Sequence, residues 1–133
     1  MLEKALILAA KAHTGQVDKG GAPYILHPIR VMLACEGEKE KIVALLHDTL
    51  EDTALTAADL RRAGFPEEIV QAVCCLTRGQ KEDYMDYIAR ICENALAARV
   101  KYADLQDNLD ISRIPNPTEK DFARIRKYEQ AMK

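Results

Sequence analysis

The sequence has no tryptophan, few aromatic residues and no excess of positive charge. Aromatic residues make up 5% of its 133 residues, and 19 lysines and arginines stand against 21 acidic residues, for a net charge of -2. A dedicated nucleic-acid-binding protein usually carries a basic excess, so this balance argues against nucleic acid as a partner. No apolar run is long enough to span a bilayer or to form a secretory signal. We therefore expect a cytoplasmic protein with no membrane partner.

Cysteine is present but does not form a recognisable pattern. The spacing of the four cysteines matches no zinc-binding motif, so we interpret them as reduced, buried thiols. Hydrophobic residues make up 48% of the chain and charged residues 30%, which is enough apolar material for a folded core. This length suits one core, and we predict a single domain over residues 1–133.

Apolar residues recur with helical spacing almost throughout, and no segment alternates polar and apolar residues as an exposed strand would. We expect an all-α bundle of about seven helices. Glycine and proline interrupt the helical pattern in residues 14–24, and prolines do so again in 114–117. The spacing predicts one helix from the charged segment 38–41 to about Thr53, and a final amphipathic helix that begins at Thr118.

Several polar residues stand inside an otherwise apolar helix. His47 and Glu51 are four residues apart, as are Asp48 and Asp52, so each pair shares a helix face. Such groups are costly in a core unless they bind something. Imidazole and carboxylate together suit a divalent manganese, iron or zinc ion. We expect a counter-cation there, since like charges at this spacing repel.

Two adjacent residues cannot fill a coordination sphere, so other segments must contribute ligands. His27 stands at the expected start of a helix behind the glycine-containing loop. A second polar strip contains Asp104 and Asn108, four residues apart, with Lys101 one turn earlier. These are the best candidates for completing the site.

This order of residues resembles the metal-binding pattern of HD-domain phosphohydrolases. In particular it resembles the hydrolase domain of Rel/SpoT-type synthetase/hydrolases, which act on the alarmone guanosine 3′,5′-bis(diphosphate) (ppGpp), and that of small stand-alone alarmone hydrolases. The segments that carry the resemblance are Ala12–Gln16, Gly21–Pro28, Ala44–Thr53, and Val100–Asp104 with Asn108.

The resemblance implies a metal-dependent enzyme that releases pyrophosphate from the 3′ position of a nucleotide. The implied ligands of a manganese ion, or of another divalent ion, are His27, His47, Asp48 and Asp104. Glu51 and Asp52 would position and deprotonate the attacking water, with Glu51 as the proton acceptor. Lys19 would contact a diphosphate and Asn108 the ribose or a phosphate. Lys101 is equally suited to a substrate contact and to pairing with a carboxylate.

Three positions depart from the pattern of alarmone hydrolases. Asp18 replaces a usual arginine, Leu105 a usual basic residue and Asp107 a usual histidine. These changes remove positive charge near the expected nucleotide. Three functions therefore stay open: a ppGpp hydrolase, a phosphohydrolase for another nucleotide or phosphorylated metabolite, and a weakly active nucleotide-sensing module.

The sequence also suggests supporting roles near the expected site. The retained Glu51 and Asp52 argue against a pure sensor, which does not need water-activating carboxylates. We interpret His13 as a structural or outer hydrogen-bond partner and Tyr24 as a residue that packs between helices and orients the loop. The oligomeric state is left open, and a homo-oligomer is compatible with the sequence.

Overall fold

The structure, a computed structural model, describes residues 1–109, and the regular secondary structure of this part is helical. The all-α prediction is confirmed, with eight helices in the described residues against about seven expected for the chain. An isolated antiparallel bridge between Val17 and Pro23 closes the glycine-containing loop. The predicted helix that begins at Thr118 lies outside the described residues. The helices are α1 Leu2–Ala12, α2 Leu26–Ala34, α3 Glu38–Leu46, α4 Thr49–Asp52, α5 Ala57–Arg62, α6 Glu67–Cys75, α7 Tyr84–Ile91 and α8 Ala95–Asn108.

Helix α3 lies at the centre of the bundle. It packs against α1, α2, α6 and α8, and every residue from Ile42 to Leu46 is buried. This explains why the segment is apolar all round, as expected for a helix with neighbours on all sides. Because α3 is central, its carboxyl end points the following residue, His47, into the protein interior, where only 3% of its surface is exposed.

The helix predicted from residue 38 to Thr53 is broken at His47 and Asp48, which join α3 to α4. The ring of His47 donates from Nδ1 to the carbonyl oxygen of Ala44 at 2.5 Å, and the hydroxyl of Thr49 donates to the carbonyl oxygen of Leu46 at 2.8 Å. Side chains therefore occupy carbonyls near the end of α3, and this competition with the backbone accompanies the break. His47 and Asp48 therefore lie in a turn rather than on a continuous helix face.

The starts of helices α5 and α2 also follow local signals in the sequence. The side chain of Thr56 and that of Asp59 form the reciprocal capping box that their spacing predicts. Helix α2 begins at Leu26, so Pro28 is its third residue. A proline is still tolerated there, since the first turn of a helix has no internal partner for its N–H groups.

All four cysteines are free thiols, but they are not all buried as we expected. Cys35 is buried, whereas Cys92 is exposed. Cys92 follows the last residue of α7 and caps it, while its neighbour Ile91 fills the core. Among residues 1–109, no helix combines the length and the apolar character needed to cross a bilayer.

Candidate metal centre

Four side chains from three parts of the fold converge on one point. His27 comes from the first turn of α2, His47 and Asp48 from the turn between α3 and α4, and Asp104 from α8. Asp104 Oδ1 lies 2.7 Å from His27 Nε2 and 3.3 Å from His47 Nε2. Asp48 Oδ2 lies 3.1 Å from His47 Nε2 and 3.9 Å from His27 Nε2. The structure thus brings together all four residues predicted as metal ligands.

These separations suit the ligands of a single ion. Donor atoms bonded to one divalent ion at about 2.0–2.2 Å lie roughly 3–3.5 Å apart. Ligand atoms of His27, His47 and Asp104 all lie within 4.8 Å of one another, and all three residues are buried. The donor set of two imidazoles and two carboxylates therefore fits a divalent metal ion. That these residues bind one remains a prediction.

Both imidazole rings are held by the nitrogen that faces away from the cluster. His47 Nδ1 donates to a carbonyl oxygen, as described above, and His27 Nδ1 contacts Asp107 Oδ2 at 2.6 Å. A carbonyl or carboxylate oxygen accepts, so each Nδ1 carries a hydrogen, and each Nε2 faces the carboxylates, where it can hold either a proton or, with its lone pair, a metal ion. A lone pair and a carboxylate repel each other unless a proton or a cation lies between them. This is a second reason why the four residues fit a divalent metal ion.

The electrostatics of the cluster favour charged carboxylates. Burial lowers the pKa of His47, but the charges of Asp48 and Asp104 outweigh burial and leave it well above the usual value. Burial raises the pKa of Asp48, but His47 outweighs it and lowers this pKa to about 2. Burial likewise opposes the ionisation of Asp104, while Lys101 and His47 bring its pKa well below the usual value. Both carboxylates are therefore ionised at neutral pH, as metal ligands must be.

Two residues predicted to contact substrate lie directly against Asp104. Lys101 Nζ donates to Asp104 Oδ2 at 2.9 Å and lies 5.2 Å from the centre of the Tyr87 ring. Asn108 Nδ2 donates to Asp104 Oδ1 at 3.3 Å. Only 14% of the Lys101 side chain is exposed. Of the two roles expected of Lys101, the structure therefore contains the pairing with a carboxylate. The substrate contacts of Lys101 and Asn108 stay predictions.

The predicted catalytic carboxylates lie on α4, at the exposed edge of the cluster. Oxygen atoms of Asp48, Glu51 and Asp52 lie within 4.8 Å of one another. Glu51 Oε1 accepts a hydrogen bond from the backbone N–H of Arg78 at 2.8 Å. Burial raises the pKa of Asp52, and the charges of Asp48 and Glu51 raise it further. This arrangement can orient a water molecule and accept its proton.

Lys19 lies in the exposed loop that the Val17–Pro23 bridge closes. The neighbouring carboxylate of Asp18 folds back into this loop, where its Oδ1 accepts from the backbone N–H groups of Gly20 at 2.8 Å and Ala22 at 3.0 Å. Asp18, which departs from the alarmone-hydrolase pattern, therefore stabilises the loop that carries Lys19. The contact of Lys19 with a diphosphate stays a prediction.

The other two departures also have structural roles. Leu105 is buried, with 3% of its surface exposed. Asp107 bonds to His27 and forms a two-pronged ion pair with Arg30, so its carboxylate supports the cluster. Sequence analysis did not single out Arg30. The available signal was weak, since Asp107 follows Asp104 by one helical turn and shares its face.

Two aromatic neighbours complete the surroundings. The hydroxyl group of Tyr24 donates a hydrogen bond to Asp48, a specific contact beyond the packing role expected from the sequence. The ring of His13 lies 4.9 Å from that of Tyr24, and His13 Nδ1 donates to Gln16 Oε1 at 2.8 Å. His13 thus makes the kind of structural hydrogen bond that we expected.

Comparison with known proteins identifies relatives, although no family model matches the chain. The chain is 32% identical over 120 residues to the guanosine-3′,5′-bis(diphosphate) 3′-pyrophosphohydrolase of Aquifex aeolicus (strain VF5). It is 31% identical over 124 residues to the bifunctional (p)ppGpp synthase/hydrolase SpoT of Escherichia coli (strain K12). The chain is therefore similar in sequence to one part of these two proteins. Each alignment covers 81% of the chain, and the chain spans 17% of each relative.

A solved structure shares the fold of this chain. It is described as a metazoan ortholog of SpoT that hydrolyzes ppGpp and plays a role in starvation responses. The TM-score is 0.78 at 24% identity, and the match covers 98% of this chain and 82% of the other. The sequence relatives confirm the predicted resemblance to Rel/SpoT-type proteins, and the solved structure confirms the fold.

Proposed function

We propose that this protein is a metal-dependent phosphohydrolase that removes pyrophosphate from the 3′ position of ppGpp. The observation that carries the proposal is the convergence of two imidazoles and two carboxylates next to a second pair of carboxylates, Glu51 and Asp52. The names of the relatives supply the substrate. The proposal keeps the cytoplasmic location predicted from the sequence.

We propose Mn²⁺ as the metal, held by His27, His47, Asp48 and Asp104. Imidazole and carboxylate donors suit manganese as well as iron and zinc. A bound divalent ion would offset the charge of a phosphate and lower the pKa of a water molecule from about 15.7 toward roughly 7. The four residues supply two negative charges to hold the ion, and Lys101 fixes the Asp104 carboxylate from the far side.

Glu51 and Asp52 then divide the handling of the attacking water. One oxygen of Glu51 is fixed by the backbone N–H of Arg78, so its carboxylate is suited to orient the water. Burial and the charges of Asp48 and Glu51 raise the pKa of Asp52, so Asp52, rather than Glu51 as expected from the sequence, is suited to accept the proton. The water oxygen forms a bond to the 3′ phosphorus, the bond from that phosphorus to the 3′ oxygen breaks, and the 3′ oxygen takes up a proton from solvent. The products are GDP and pyrophosphate.

The remaining contacts are assigned to three residues. Lys19, in the exposed loop, faces solvent where a diphosphate can approach, and Asn108 lies one turn beyond Asp104 at the end of α8. Lys101 adds a positive charge beside the cluster. These cations and the amide would bind an anionic nucleotide by hydrogen bonds and charge.

A second candidate is a phosphohydrolase for another nucleotide, favoured by the carboxylate of Asp18 beside Lys19. A panel of nucleotides, assayed with added Mn²⁺ while phosphate and pyrophosphate are both monitored, separates the two. We expect pyrophosphate from ppGpp, and none from the Asp48→Ala variant. Release from a different nucleotide alone would favour the second candidate. Bound metal with no release from any nucleotide would instead favour a sensing module.

A further inference from the structure

The two imidazoles of the cluster are held by different kinds of partner. His47 is held by a main-chain carbonyl from its own helix. His27 is held by the carboxylate of Asp107, whose Oδ2 lies 2.6 Å from His27 Nδ1. Only 7% of the His27 side chain and 12% of the Asp107 side chain are exposed. The orientation of His27 therefore depends on a side chain that a substitution can change.

Arg30 in turn fixes the carboxylate of Asp107. Its Nε donates to Asp107 Oδ1 at 2.8 Å, and a terminal guanidinium nitrogen donates to Oδ2 at 3.2 Å. Two parallel hydrogen bonds from a planar guanidinium set the plane of a carboxylate as well as its position. Asp107 Oδ2 is thus shared between Arg30 on α2 and His27, one turn earlier on the same helix.

We propose that Asp107, held in place by Arg30, is a positioning residue that sets the ring orientation and the protonated nitrogen of His27. The inference rests on the proposed metal site. Because a carboxylate only accepts, it keeps the hydrogen on Nδ1 and leaves the Nε2 lone pair for the ion. Its negative charge also makes the imidazole a stronger donor to a metal. The charge of Arg30 balances that of Asp107, so the support adds no net charge to the cluster.

The placement of Asp107 gives α8 two tasks. Asp104 and Asp107 are separated by one helical turn, so one face of α8 presents a proposed ligand and the support of another. The bond from Asp107 to His27 also joins α8 to α2, next to the direct contact between Asp104 and His27. We therefore infer that the geometry of His27 is set by α8 rather than by α2 alone.

Binding of Co²⁺ to the metal-free full chain tests this inference directly, because the visible spectrum of Co²⁺ reports coordination geometry. We expect Asp107→Asn to weaken Co²⁺ binding by about 10–100-fold, measured by competition with a chromophoric chelator, and to change the spectrum. Arg30→Gln should cause a smaller loss, and the double variant should bind about as weakly as Asp107→Asn alone. Such non-additivity is expected if Arg30 acts through Asp107.

Arg61→Gln is the matched control. Arg61 makes an equally two-pronged pair with Glu67, at 3.0 and 2.9 Å, on the exposed surface. We expect its Co²⁺ affinity and spectrum to equal those of the wild type. An ion pair that serves only the fold would behave in this way.

The outcomes separate this inference from the proposed function. A wild-type chain that binds no Co²⁺ overturns the metal site itself. A wild-type chain that binds Co²⁺, with unchanged affinity and spectrum in Asp107→Asn, overturns only the role of Asp107. If Asp107→Asn loses its helical circular dichroism, Arg30→Gln decides: weaker binding with a changed spectrum supports the inference, and wild-type binding overturns it.

Discussion

The hydroxyl group of Tyr24 donates a hydrogen bond to the carboxylate of Asp48, which ties the end of the glycine-containing loop to the turn between α3 and α4. Burial raises the pKa of Tyr24, and the charge of Asp48 raises it further. Tyr24 therefore stays protonated, as a donor must, throughout the physiological range of pH. The side chain of Tyr24 thus links the loop that carries Lys19 to the candidate metal centre.

Replacing Tyr24 with phenylalanine should keep the ring packing and remove this bond. We expect the affinity for Mn²⁺ to fall about tenfold, since Asp48 loses the partner that orients it. Competition with a chelator measures the affinity, and circular dichroism checks that the helices persist. Wild-type affinity would show that Asp48 is oriented without Tyr24.

Replacing Asp48 with alanine should abolish metal binding and hydrolysis together. A ligand that binds only the folded state raises the melting temperature, so the wild type should be stabilised by excess Mn²⁺ and the variant should not. Thermal denaturation with and without Mn²⁺ makes the comparison. The exposed Asp86→Ala variant is the control and should respond as the wild type does. A metal-dependent shift retained in Asp48→Ala would argue against this ligand.

Replacing Glu51 with glutamine should separate binding from turnover. The amide still accepts the hydrogen bond from Arg78 but carries no charge toward the water. We expect Mn²⁺ to bind as in the wild type, while kcat falls by about 10²-fold, the lower end of the range for losing an acid or base, because Glu51 orients the water and Asp52 accepts its proton. Unchanged turnover would remove Glu51 from the reaction, and lost metal binding would make it a ligand instead.

Replacing Lys101 with methionine should destabilise the metal-free protein. Asp104 would keep a buried charge without its lysine partner, a change that typically costs roughly 3–5 kcal/mol. Urea denaturation measures the free energy of unfolding, and added Mn²⁺ should restore part of it. The exposed pair of Arg99 with Glu40 is the control: Arg99→Gln should cost less than about 1 kcal/mol. Equal effects in both variants would contradict this account of Lys101.

The ligand set could be predicted from the sequence because its residues are chemically out of place. Histidine and aspartate in an apolar helical segment, as at His47 and Asp48, are costly in a core, and few other residues could complete a site with them. The helical content was predictable for a similar reason, since apolar periodicity reflects burial directly. The four proposed ligands accordingly lie together.

The supports of the cluster could not be predicted in the same way. The break after α3 depends on Thr49 and His47 competing for carbonyl oxygens, which periodicity does not record. Arg30 and Asp107 look like ordinary charged residues of two helix surfaces, and only the packing of α2 against α8 makes them a pair. Leu105 was interpreted as a lost positive charge, yet the turn of α8 directs its side chain inward.

A substitution at Gly21 tests the backbone conformation of the glycine-containing loop. The φ of this glycine, +85°, lies in the left-handed region, and no atom lies within 4 Å of where a Cβ would stand. Gly21→Ala should therefore cost about 1 kcal/mol through the backbone alone. Gly79→Ala is the control, with an ordinary φ and Glu82 at 3.5 Å from the added carbon. Urea denaturation compares them, and equal stability of the two variants would contradict the argument.

The base of that loop is fastened on both sides of its tip. Backbone hydrogen bonds of 2.8 Å run from Asp18 N to the Ala22 oxygen and from Tyr24 N to the Gln16 oxygen. Residues 19–21 can therefore be replaced while the two hydrogen bonds beneath them stay in place. Substitutions in this short stretch can therefore change which molecules the protein binds without altering the residues of the candidate metal centre.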